Sequence, residues 1–167
     1  MTDAKQLIIE SKHGTFTVQY DAEGAHKVEP YTWHVSEGHS TFYAYRQTPR
    51  PNRKQIAMHR EIAECPKGKM VDHKNGNGLD NRRENLRVCT MSENMMNRGK
   101  TKFHSGKYKG VYDCGDSKTN PYTAKIQKDN TVYHLGHYAT PEEAARAYDA
   151  KAKELHGEYA YLNFPDE

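Results

Sequence analysis

Residues 71–98 read VDHKNGNGLDNRRENLRVCTMSENMMNR, and the chain is best read outward from them. Asp72, His73, Asn85 and Asn94 bracket a loop rich in Gly and Asn, with Arg82, Arg83 and Arg87 beside it. Gly and Asn tolerate the left-handed conformations that a tight loop needs. The pattern predicts a strand ending at residues 70–73, a loop over 74–81 and a second strand over 86–90. Thr90 or Ser92 can cap a short helix over 93–98. A strand–loop–strand–helix unit can bring Asp72, His73 and Asn94 together although they are distant in sequence.

The residue types suggest a chemistry. Phosphodiester hydrolysis needs an activated water, a cation on the phosphate oxygens and neutralisation of charge. Histidine is the side chain best poised to take a proton near neutral pH. Asp and Asn oxygens suit Mg²⁺, which takes few protein oxygens and keeps water or phosphate for the rest. A lone Asp-His pair would read equally well as a turn histidine beside a capped acid; the assembled constellation points further.

The chain has 167 residues, enough for one domain or two small ones. Hydrophobic residues make up 35%, so small cores are expected rather than one large core. Net charge is +3, but residues 46–110 carry 16 Lys/Arg against 6 Asp/Glu, while both flanks are acidic. Basic charge concentrated around the central stretch suits a polyphosphate partner. Cys65, Cys89 and Cys114 stand apart with no CxxC pair, which argues against structural zinc. The odd cysteine count, and the want of a signal-peptide pattern or a long apolar run, predict a cytoplasmic protein with no membrane span.

Residues 6–10, 15–20, 31–35 and 40–46 read as short strands punctuated by Gly and Pro, with Trp33, the only tryptophan, anchoring a small core. This segment is expected to be scaffold. Residues 48–54, TPRPNRK, form a loop because the prolines forbid regular structure. A strand over 55–59 then feeds a short helix over 60–64.

Residues 59–98 resemble the HNH nuclease module (ββα-metal fold) of homing endonucleases, in its His-Asn-Asn form. The match runs through His59-Arg60, Val71-Asp72-His73, Asn75-Gly76-Asn77, Leu79-Asp80-Asn81-Arg82, Glu84-Asn85-Leu86-Arg87, Thr90, Ser92-Glu93-Asn94 and Asn97-Arg98. The resemblance implies that His73 is the general base and that Asp72 and Asn94 ligate one divalent cation, Mg²⁺ or Mn²⁺, per site. It implies that Asn85 supports catalysis by holding the loop that aims His73, and that His59 is structural or supports the site from behind. Arg82, Arg83, Arg87 and Arg98 are then expected on phosphates, although Arg87 alternates with apolar neighbours and could pair internally. Mobile, phage-borne settings go with such families.

Residues 99–107 read as a basic linker. Beyond it, strands are expected over 109–113, 122–128 and 131–138, with Asp129-Asn130 at a hairpin apex. Thr140-Pro141-Glu142-Glu143 opens a helix as N-cap, first-turn proline and capping box, and Gly157 closes it. Ala144, Ala145, Tyr148, Ala152 and Leu155 recur at helical spacing. The segment resembles the APETALA-type domain of ethylene-response factors. The residues that carry this are Tyr108-Lys109-Gly110-Val111-Tyr112, the strands, the alanine-rich helix and the ending Leu162-Asn163-Phe164. That family reads duplex DNA with the exposed face of its sheet, which makes Lys109, Tyr112, Tyr122, Lys125 and His134 the candidate contacts. Where the family has Trp-Arg before its second strand, this chain has Tyr122-Thr123.

The expectation is an α+β protein: a β-rich N-terminal part and nuclease core (1–98, core 59–98), a linker (99–107), and a three-stranded antiparallel sheet on one helix (108–167). Its function would be that of a site-recognising, metal-dependent endonuclease on double-stranded DNA. The alternative is a non-catalytic DNA-binding regulator with a relic HNH module. A single site in a monomer nicks; a double-strand cut needs a homodimer or two successive nicks.

Overall fold

The computed structural model describes residues 3–38, 40–99, 106–115 and 119–166. Most of the expected linker therefore lies outside the described residues, as do His39 and Lys118. The architecture is α+β, and the chain divides into two compact units, Met1–Asn94 and Met95–Glu167.

The first unit opens with a hairpin, β1 (Ala4–Ser11) and β2 (Gly14–Asp21), paired from Ala4↔Asp21 to Ser11↔Gly14. A 3-10 turn, Ala22–Gly24, runs into the one-turn helix α1 (Ala25–Val28), a segment left unassigned between the expected strands. Strands β3 (His34–Glu37), β4 (Phe42–Gln47) and β5 (Gln55–Ala57) form an antiparallel sheet in that order. The third strand begins at His34, later than expected, because Trp33 turns into the core and its indole N–H donates to the Val28 carbonyl at 2.8 Å. Helix α2 (Met58–Ile62) starts two residues early. Met58 and Ile62, one turn apart, are both buried and set the helical phase.

Strands β6 (Met70–His73) and β7 (Leu86–Cys89) make a second hairpin, with Asp72 opposite Arg87 and His73 opposite Leu86. Helix α3 (Met91–Asn97) follows at once. Thr90 caps it: the Glu93 amide donates to Thr90 Oγ1 at 3.2 Å, and the Thr90 amide donates back to the Glu93 carboxylate at 2.7 Å. One apolar cluster, including Val18, Tyr20, Trp33, Ala44, Met58, Val71 and Leu86, joins the sheets, α2 and this hairpin.

In the second unit β8 (Val111–Asp113), β9 (Tyr122–Lys128) and β10 (Thr131–Tyr138) form a sheet ordered β10-β9-β8, backed by α4 (Pro141–His156). Asp129 (φ 47°) and Asn130 (φ 62°) are both left-handed, as a two-residue hairpin turn requires. Thr140 and Glu143 complete the capping box of α4. Ala144, Ala145 and Ala152 are fully buried, which lets α4 lie close on Ala124 and Ile126. The first strand begins at Val111 and not at residue 109, because Gly110 is left-handed (φ 75°). A Cβ there would lie 2.1 Å from the Tyr148 ring. The tail is pinned by Asp149, which accepts from the amides of Asn163 (2.9 Å) and Phe164 (2.8 Å).

Candidate active site

His73 ends β6 and is 5% exposed. Its ring lies against two others: His59 from α2 at 5.1 Å between centroids and Tyr43 from β4 at 5.7 Å. Burial pushes the His73 pKa down, while Asn81, Asp72 and Asp80 pull it up. The ring is therefore neutral at neutral pH and able to accept a proton. His59 is pushed further, to about 3, by burial first and then by His73 and Arg60. Its Nδ1 is buried with no hydrogen-bond partner among the described residues, and the ring is neutral at neutral pH.

The loop after β6 is braced from three directions. Asn85 Oδ1 accepts the Asn75 amide at 3.0 Å, and its Nδ2 donates to the Asp80 carbonyl at 2.8 Å, so one buried side chain ties both ends of the loop. The β2 edge adds a backbone clamp: the Gln19 amide donates to Leu79 and the Asn81 amide to Gln19, each at 2.8 Å. Gly78 lies so close to β4 that a Cβ would come within 2.5 Å of the Phe42 carbonyl and the Tyr43 ring. The N-terminal hairpin and sheet are thus the mould of the loop that carries His73.

Asn81 is fully buried beside the His73 ring, whose pKa it raises; its Nδ2 donates to the Leu79 carbonyl at 3.3 Å, and its Oδ1 has no hydrogen-bond partner among the described residues. The sequence motif Leu79-Asp80-Asn81-Arg82 contains it, with no role assigned to it there. Tyr43 was missed altogether, since nothing in the sequence ties residue 43 to residue 73.

The arginines sort differently from expectation. Arg82 forms a two-pronged pair with Asp80, Nε to Oδ1 at 2.8 Å and Nη2 to Oδ2 at 2.7 Å, and a further pair with Glu84 at 2.7 Å. That pair holds the Asp80 carboxyl below its usual range. Arg87 reaches across the hairpin to Asp72, placing Nε at 2.7 Å and Nη2 at 2.6 Å from the same oxygen, Oδ2. Both were expected on phosphate, with internal pairing open for Arg87; here each has a carboxylate partner from its own hairpin. Arg83 is exposed, and only its backbone amide is anchored, donating to Asp21 at 2.7 Å. Asn94 lies in α3, half-buried, with its amide bonded to the Thr90 carbonyl. Arg98 is half-buried just past α3.

In the second unit Tyr112, Lys125 and His134 are exposed. Register puts His134 opposite Lys125, and Lys125 Nζ lies 5.9 Å from the Tyr112 ring, so the three share the outer face of the sheet. His137, which the sequence reading did not single out, joins them, its ring 5.0 Å from His134. Tyr122 instead packs partly into the core. Lys109 is also placed elsewhere: its ammonium donates to the Met96 carbonyl at 2.7 Å, and burial lowers its pKa to about 8.

No group of three or more His, Cys, Asp or Glu capable of holding a metal occurs among the described residues. The oxygen donors that the sequence expectation names are the Asp72 carboxylate and the Asn94 amide. That set fits a hard divalent cation that completes its shell with water and phosphate oxygens. No helix among the described residues is long and apolar enough to cross a membrane.

Comparisons with known proteins agree with the central stretch. The model of the HNH endonuclease family matches residues 55–96. An uncharacterised HNH endonuclease of Acanthamoeba polyphaga mimivirus is 32% identical over 115 residues, 65% of this chain and 58% of that protein. An ethylene-responsive transcription factor of Arabidopsis thaliana is 40% identical over 70 residues, 41% of this chain and 36% of that one. The chain thus spans well under two thirds of the length of either curated relative. No solved structure gives a significant match. HNH nucleases generally use a divalent metal, and residues 55–96, which match the HNH endonuclease model, contain Asp72, His73, Asn85 and Asn94.

Proposed function

We propose that this protein is a metal-dependent endonuclease that recognises its site on double-stranded DNA, with His73 as general base. The observation that carries the reading is a neutral, buried His73 at the strand end beside Asp72, next to the buried Asn81 and the loop that Asn85 ties down. His73 takes a proton from the water that attacks phosphorus. The buried Asn81 lies beside the ring, and the rings of His59 and Tyr43 exclude bulk water from its sides. Asp72 and Asn94 would hold one Mg²⁺ or Mn²⁺, which when bound supplies positive charge to the 3′-oxygen leaving group. Arg83 meets phosphate on the exposed side of the hairpin.

The second unit grips duplex DNA through the outer face of its sheet, with Tyr112, Lys125 and His134 as the reading side chains. It is an ethylene-response-factor-type module joined to the nuclease. His73→Ala should keep duplex binding in a mobility-shift titration while losing cleavage by a factor of about 10² or more. Undiminished cleavage removes His73 from the role of base. A protein that binds duplex but never cuts is instead a DNA-binding regulator.

A further inference from the structure

Among the described residues of the first unit, Arg82–Asp80, Arg46–Glu61 and Arg87–Asp72 are each held by two close nitrogen–oxygen contacts, and the last differs from the others in geometry. Arg82 on Asp80 and Arg46 on Glu61 are two-pronged, each using both carboxylate oxygens. Arg87 puts both its nitrogens on Oδ2 of Asp72. A fork matched to both oxygens is the stronger and more specific geometry, so this pair is the one best suited to exchange. It is also the one on the carboxylate that the proposed function assigns to the metal. The side chains are 10% and 8% exposed, so guanidinium and carboxylate face each other with little water between them. A cation arriving at Asp72 meets a resident positive charge at the same oxygen.

We propose that Arg87 is a built-in competitor of the divalent cation at Asp72, and that a DNA phosphate releases it. This rests on the reading of Asp72 as a metal ligand. Without DNA the guanidinium neutralises Asp72 and keeps metal loading weak. When a phosphodiester enters, Arg87 gains an anionic partner of equal charge, and Asp72 is left to the cation. Every charge stays partnered: before, carboxylate with guanidinium; after, carboxylate with cation and guanidinium with phosphate. Metal and DNA therefore load together, and each raises the affinity of the other by the same factor. The consequence is a nuclease whose metal site stays weak until substrate is in place.

The test is Mn²⁺ binding, followed by electron paramagnetic resonance of the free ion, on the full chain carrying His73→Ala so that DNA stays intact. Without DNA this parent should bind weakly, and a mixed-sequence duplex oligonucleotide should tighten binding by about tenfold or more. Adding Arg87→Gln should tighten DNA-free binding by a similar factor and shrink the effect of the duplex. Arg87→Lys, which keeps the charge, should stay near the parent and guards against a Gln variant that folds poorly. Adding Asp72→Asn should abolish binding. Mn²⁺ that binds through Asp72 but no more tightly in Arg87→Gln overturns the competitor role and leaves Arg87 as a residue that orients Asp72. Equal affinity with and without duplex overturns the exchange. No Mn²⁺ bound by any variant, with or without duplex, overturns the metal reading beneath it.

Discussion

Asn85→Ala should unlock the loop that carries His73, and the cost can be worked from two bonds. The substitution removes the acceptor of the Asn75 amide and the donor to the Asp80 carbonyl, at 3.0 and 2.8 Å. Each bond contributes about 1 kcal/mol net, and stranding a buried partner costs about 1–3 kcal/mol. The sum is roughly 2–4 kcal/mol, a large part of the 5–15 kcal/mol that holds a typical domain. Trp33 makes the assay local: it is the only tryptophan, and it is buried in the core of the first unit at 4% exposure. Urea unfolding followed by Trp33 fluorescence, at a slope of roughly 1–2 kcal/mol per molar, should shift its midpoint down by about 1–4 M. Asn85→Asp keeps an acceptor for Asn75 but sets a carboxylate oxygen against the Asp80 carbonyl, so it should lose at least as much. Shifts below about 0.5 M for both variants would refute the idea that this side chain ties the loop.

The other predictions concern pH, the second unit and phosphate. His59 has a folded pKa of about 3 against an ordinary 6.5, so protonation favours the unfolded chain. The stability this gives is full above pH 6.5 and is lost as pH falls towards 3; His59→Phe should flatten the Trp33 unfolding midpoint across that window. Because burial lowers the His73 pKa, cleavage should hold its plateau to below pH 6.5 and fall only at lower pH; a loss already complete at pH 7 in a pH–rate profile would contradict a neutral base. Gly110→Ala forces a left-handed residue to carry a Cβ 2.1 Å from Tyr148, which should cost the second unit about 2–5 kcal/mol. Circular dichroism should register that loss while the Trp33 transition stays in place. Arg83→Ala should leave stability unchanged, since its anchor to Asp21 is a backbone amide, and should lower the salt dependence of duplex binding by about one phosphate contact.

Local signals carried much of the fold. The Thr140 capping box, the Asp129-Asn130 turn, the alanine face of α4 and strands β6, β9 and β10 sit where turn chemistry and periodicity place them. What escaped the sequence is tertiary. Trp33 leaves its strand to cap Val28. The register between β6 and β7, which turns Arg87 onto Asp72, follows from pairing that no single strand reveals. Tyr43 meets His73 only because Gly78 admits β4 to within contact of the loop. Lys109 reads as a surface lysine, yet its ammonium is drawn to the Met96 carbonyl. The proposed site residues stand out in the sequence because their types and spacing are local, whereas residues packed around them, such as Tyr43 and Gln19, come from distant strands.

The central claim is metal-dependent hydrolysis at His73, and conversion of supercoiled plasmid tests it most directly. The protein is incubated with Mg²⁺, Mn²⁺ or EDTA beside His73→Ala and Asp72→Ala, on DNA that includes the parent genome. Open circles or linear product that need metal, His73 and Asp72 are the predicted result. Intact supercoils under every metal, from a folded protein that still binds duplex, would contradict it.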